Sequence, residues 1–194
     1  MPFVQKIIVS AVIGLGLFTS ACTPLVVPAQ ERSVGRAIDD FSIQTRLSRN
    51  LHRSSDRDYR DLEIEVVEGR VLMLGRVHSE EIRLEAKRVA HATNGVDEVI
   101  DEIEVSEEGV GILRPRDTWI SNRVRGRLLG DSAIREVNYH VETLDGTVYL
   151  FGIAQSEEEV NRATGHARTL RGVDRVISHM RVKVQRPDLP GQDT

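Results

Sequence analysis

A repeat at a fixed offset of 77 residues constrains this chain more than any other feature. "GRVLMLG" at 69–75 returns as "GTVYLFG" at 146–152, "SEE" at Ser79 returns at Ser156, and "GVDEVI" from Gly95 returns as "GVDRVI" from Gly172. Across 69–105 and its counterpart, 14 of 37 positions are identical. An offset held through several motifs marks a duplicated unit. The 194 residues therefore divide into two small domains.

Each unit reads as helix, strand, strand, helix, strand. Periodic apolar residues predict first helices over about 39–52 and 117–130. Two β-branched and aliphatic runs flank "EG" at 68–69 and "DG" at 145–146, the signal of a two-residue hairpin. Ser79 and Ser156 open the second helices as N-caps, and Glu159 stands at capping-box spacing from Ser156. Gly95 and Gly172 suit left-handed C-terminal caps. The fold class is thus α+β: two tandem αββαβ modules, each a three-stranded mixed sheet with two helices on one face. The modules occupy 39–106 and 117–184, joined by a linker at 107–116, with a polar tail at 185–194.

The first residues belong to no fold. Lys6 precedes a charge-free apolar run at 7–18, shorter than the roughly 20 residues of a permanent membrane span. Small residues then lead to Cys22, so 1–21 read as a secretory signal. "TSAC" resembles a bacterial lipobox, with Thr19 where Leu is usual. Cys22 is the chain's one cysteine, and it has no partner for an intrachain disulfide. Acylation of Cys22, palmitate included, would give a lasting anchor. Residues 22–38 then form a tether, and Thr23, standing where by resemblance to enterobacterial lipoprotein sorting an Asp would retain the protein at the inner membrane, implies the outer membrane, periplasmic face.

The segment 114–130, "RPRDTWISNRVRGRLLG", holds the single Trp and five Arg. On a helix at 100° per residue, Ile120, Val124 and Leu128 form the core stripe and Trp119 falls about 140° from its centre, beside Arg123. The first module is an internal control. Ile43, Leu47 and Leu51 hold its core positions, whereas Ser42 replaces Trp119, and Ser48 and Asn50 replace Arg125 and Arg127. The fold needs neither the Trp nor the extra Arg. Trp119 with Arg116, Arg123, Arg125 and Arg127 fits a membrane interface, where Trp prefers the headgroup region and each basic residue adds ~1 kcal/mol near an anionic surface. Asp117 would oppose them. A protein–protein hot spot and packing of Trp119 against the first module fit the same residues.

The G-x-V-x-L-x-G hairpin, the second helix and the closing G-V-x-x-V resemble a BON domain. A signal, a lipobox and two such domains in tandem resemble the dual BON-domain outer-membrane lipoproteins, and "RSVGRAIDD" and "DTWI" strengthen the match. The resemblance implies a non-enzymatic protein that binds anionic phospholipid, phosphatidylglycerol or cardiolipin, and supports envelope integrity. Envelope protein partners are the alternative, through the same Trp/Arg surface.

The net charge of −4 argues against nucleic acid as a partner. No nucleophile motif, metal-binding His pair or phosphate-cradling Gly loop is present. The six His read as surface or partner-satisfied, and no cofactor or metal is expected.

Overall fold

A computed structural model describes residues 34–106, 115–135 and 139–183. Cys22 and the segments expected to be signal and tail lie wholly outside them, as do most of the expected tether and linker. The first module comprises α1 (Val34–Ser54), α2 (Asp56–Tyr59), β1 (Leu62–Val67), β2 (Arg70–Val77), α3 (Glu80–His91) and β3 (Glu98–Val105). The second comprises α4 (Pro115–Leu129), β4 (Tyr139–Leu144), β5 (Thr147–Ala154), α5 (Glu157–Arg168) and β6 (Arg175–Val182). In each sheet the central strand pairs antiparallel with the strand before it and parallel with the strand after the crossover helix. The sheets are therefore mixed.

The hairpins form as the sequence predicts. Glu68 and Gly69 have φ of 51° and 73°, and Asp145 and Gly146 have 46° and 75°. Two successive positive φ values are those of the turn that matches strand twist in a two-residue loop. Ser79 Oγ accepts from Ile82 N at 3.4 Å and Ser156 Oγ from Glu159 N at 3.2 Å, so both N-caps are made. Glu159 departs from the capping box. Its buried carboxylate accepts from the amides of Gln155 and Arg135, each at 2.6 Å, tying the helix start to the loop after α4. The C-terminal caps also differ. α3 and α5 end at His91 and Arg168 with Ala92 and Thr169 as C-caps, and Gly95 and Gly172 use their positive φ a few residues later, where the chain enters β3 and β6. The first helices extend beyond their expected starts. α1 begins at Val34 and α4 at Pro115, a residue suited to the first helical position.

Each module buries one sheet face beneath its own helices. Ile43, Leu47 and Leu51 of α1 meet Val71, Met73 and Ala86; Ile120, Val124 and Leu128 of α4 meet Val148, Leu150 and Ala163. The opposite sheet faces bury each other. Val67, Leu72 and Leu74 pack with Tyr149, Phe151 and Ile153 in a third core shared by both modules. This explains why "VLML" and "VYLF" are apolar without alternation: both faces of β2 and β5 are covered. The molecule is four layers deep, with helices outside and two sheets between.

The ring of polar contacts around the shared core fixes the relative direction of the sheets. The Arg70 guanidinium lies 5.3 Å from the Phe151 ring centroid and donates to the His179 carbonyl at 3.1 Å. Arg76, at the other end of β2, pairs with Asp145 in the β4–β5 turn. His179 Nε2 meets Glu102 at 2.7 Å, and His140 Nδ1 meets Glu65 at 2.9 Å. β2 and β5 thus cross in opposite directions. The turn at 68–69 lies about 23 Å along β2 from the turn at 145–146, at 3.3 Å per residue.

Candidate functional site

α4 presents its outer face away from the first module. Its core stripe is fully buried, while Trp119 is 49% exposed and Leu129 69% exposed. Trp119, Asn122, Gly126 and Leu129 follow one another at i, i+3, i+7 and i+10, and all four are exposed. They form a single outward stripe about 15 Å long at 1.5 Å per residue. Trp119 is not part of the core that the two modules share. The Arg123 guanidinium stacks 5.7 Å from the Trp119 ring centroid, a cation–π geometry. Its counterpart Arg46 instead donates to the Asn94 carbonyl at 3.1 Å.

Asp117 does not oppose the basic residues at the surface. Its carboxylate is buried and accepts from the amides of Asp145 at 2.9 Å and Gly146 at 3.1 Å. Asp40 does the same for Glu68 and Gly69. Each acid locks a first helix to its hairpin turn, and its charge is satisfied within the module.

The Arg residues separate into distinct environments. The structure brings Arg123 to Trp119. Arg116 turns to the end of α5, donating to Gly172 O at 2.9 Å and to Asp174 at 3.3 Å, and remains 59% exposed. Arg125 reaches inward to Val141 O at 2.5 Å and to Glu142. Arg127 spans to α5, donating to His166 O at 2.9 Å and Thr169 Oγ1 at 3.0 Å. Cys22 lies outside the described residues.

The Arg125 partner belongs to an acidic cluster between the modules. Glu63, Glu65 and Glu142 bring carboxylate oxygens within 4.8 Å of one another. Burial pushes the Glu142 carboxyl up to about 7, with Glu63 and Glu65 adding to the rise that Arg125 and His140 oppose. Burial and the neighbouring Glu65 raise Glu63 as well.

At the far end of α4, Asp131 is buried and accepts from Arg162 Nε at 2.5 Å, from Ala133 N at 3.1 Å, and contacts His166 Nε2 at 2.7 Å. The Arg162 and His166 contacts hold its carboxyl well below the usual range. The sequence reading missed this trio, and comparison of the two copies would have found it. Ser54, Glu85 and Val89 stand at the same offset in the first module.

The BON domain model matches the chain twice, over 39–107 and 116–184. The chain belongs to the BON-domain family. The two BON modules together match proteins of similar architecture. One is an uncharacterized protein in the gshII 5' region of Anaplasma centrale, 37% identical over 75% of this chain and 96% of its own length. The 21 kDa hemolysin of Actinobacillus pleuropneumoniae is 30% identical over 77% of each chain. The outer membrane lipoprotein DolP of Haemophilus influenzae is 25% identical over 87% of this chain and 85% of that one. The two BON matches bear out the duplication read from the repeat, and one of these relatives is named as an outer membrane lipoprotein.

Proposed function

We propose that the second BON module binds anionic phospholipid surfaces through the outer face of α4, in an outer-membrane lipoprotein that supports envelope integrity without enzymatic activity. The observation that carries this reading is the half-exposed Trp119, stacked under Arg123 at a position where the first module has Ser42. An amphipathic ring at the headgroup level sheds apolar surface from water while its N–H stays wet. Leu129 supplies a second apolar contact at the other end of the stripe. Arg123 faces the headgroups directly. Arg116 and Arg127 flank it with exposed guanidiniums, and Arg125 braces α4 against β4. Each cation near the surface contributes about 1 kcal/mol, so binding by this face is weak and salt-sensitive by itself. Acylation of Cys22 would hold the module close to the bilayer and raise its effective concentration.

The single Trp is its own reporter. Vesicles of phosphatidylglycerol or cardiolipin should shift Trp119 fluorescence to the blue and sediment the mature chain, with both effects weakened by salt and absent with neutral vesicles. Trp119→Ala should reduce sedimentation at least tenfold. Sedimentation indifferent to lipid charge, or unchanged in Trp119→Ala, would overturn the reading and leave the face as a protein-docking surface.

A further inference from the structure

The second module carries an open cleft of about 580 Å³ lined by Arg127, Gly130, Asp131, Ser132, Arg162 and His166. Its cationic side chains are fixed from behind. The buried Asp131 carboxylate takes Arg162 Nε at 2.5 Å and His166 Nε2 at 2.7 Å, while Arg127 Nη1 is held by His166 O and Thr169 Oγ1. A guanidinium has five N–H donors in one plane. Arg162 uses one on Asp131, and its Nη groups have no partner among the described residues. The Arg162 side chain is 56% exposed and that of His166 32%, against 8% for Asp131. The arrangement therefore sets a carboxylate at the back and two guanidiniums with an imidazole in front.

The first module shows that the fold does not require this. Asn50, Ser54, Glu85 and Val89 occupy the positions of Arg127, Asp131, Arg162 and His166. With His166 counted as neutral, these four positions carry a formal charge of −1 in the first module and +1 in the second. Asp131 Oδ1 closes the turn after α4 by accepting from Ala133 N at 3.1 Å, which leaves Oδ2, the oxygen that meets Arg162 and His166, unexplained by the turn. Orienting those two side chains explains it.

We infer that this cleft binds a phosphate group, which Arg162 grips with its outward N–H pair while Arg127 and His166 flank it. Planar forked donors suit phosphate oxygens, and the cleft admits a phosphate with a small ester substituent. Two sources share this chemistry: the headgroup of a phospholipid and free phosphate in solution. The site goes beyond the Trp119 surface, with which it shares Arg127, and does not need that surface, because a soluble phosphate can fill the cleft with no bilayer present.

The test uses the mature two-module chain, with Arg162 Nε–H and the His166 ring followed by NMR. Titration with inorganic phosphate should shift both signals saturably. Arg162→Gln should weaken binding at least tenfold, and so should the pair Asp131→Ser with His166→Val, which installs the residues of the first module and guards against a folding artefact in any one variant. Absence of a saturable shift in the parent chain, or parental affinity in either variant, would overturn the site. Trp119→Ala should bind inorganic phosphate as the parent does, which separates this result from the fate of the membrane reading. A parallel loss of phosphatidylglycerol vesicle binding in Arg162→Gln would make the headgroup the source. Unchanged vesicle binding alongside lost phosphate binding would make it the free ion.

Discussion

Asp117 and Asp40 show how one residue sets the geometry that α4 and α1 present. Each is a buried acid whose two oxygens take successive turn amides, Asp145 and Gly146 or Glu68 and Gly69. Those amides point into a left-handed turn and have no strand partner. Charged acceptors make stronger bonds than neutral ones, about 1.5–3 kcal/mol each way of counting, and their loss leaves buried donors unsatisfied. Asp117→Ala should therefore lower the unfolding free energy by about 2–4 kcal/mol in urea titrations. A change below 0.5 kcal/mol would show that water satisfies the turn instead. The same acid recurs in both copies because the module needs it. Trp119, Asp131, Arg162 and His166 occur in one copy only, which marks them as additions to the scaffold.

Among the elements, α4 combines a packed inner stripe with an outer stripe interrupted by Gly126. A Cβ added at Gly126 meets nothing within 4 Å, so no packing explains a residue that costs the helix about 0.5–1 kcal/mol relative to Ala. Gly126→Ala should stabilise the module by about that amount in thermal or urea unfolding; a destabilised variant would mean that the helix uses backbone freedom there. Much of this element was legible beforehand. The 100° projection placed Ile120, Val124 and Leu128 inside and Trp119 outside because those are properties of Cα positions. It could not show that the long side chains of Arg125 and Arg127 reach back to β4 and α5 carbonyls, which no helical wheel contains. The hairpins and N-caps were legible for the same local reason: their chemistry is set within four residues. α2 and the exits of α3 and α5 were not, because tertiary contacts decide where a helix stops. The partner of the sheet faces turned away from the helices was also beyond reach. The unalternating runs of β2 and β5 signal double burial, but nothing in one sequence says that each would be covered by the other.

At the level of the whole molecule, the interface between the sheets makes stability depend on pH. The Glu142 carboxyl is pushed up to about 7 by burial, from 4.5 in the unfolded chain. Between those values the folded state holds a proton that the unfolded state has released. Stability is therefore full below about 4.5, falls as pH rises towards 7, and levels off above it, by about 1–3 kcal/mol. The raised Glu63 acts in the same direction. The depressed Asp131 works oppositely, but only in stronger acid. Urea unfolding at pH 5 and pH 7.5 should show the decline, and Glu142→Gln should remove a substantial part of it; an equal decline in the variant would place the effect elsewhere. The crossing of β2 and β5 has a further consequence. Because Asp40 and Asp117 pin their helices to turns at opposite ends of that crossing, and the helices cover opposite outsides, the molecule has two poles related by a half-turn. Any flat surface that receives Trp119 leaves the exposed Phe41 and Ile38 of α1 pointing towards the far side, so a chain seated on one sheet of lipid displays its first module outward like the handle of a stamp.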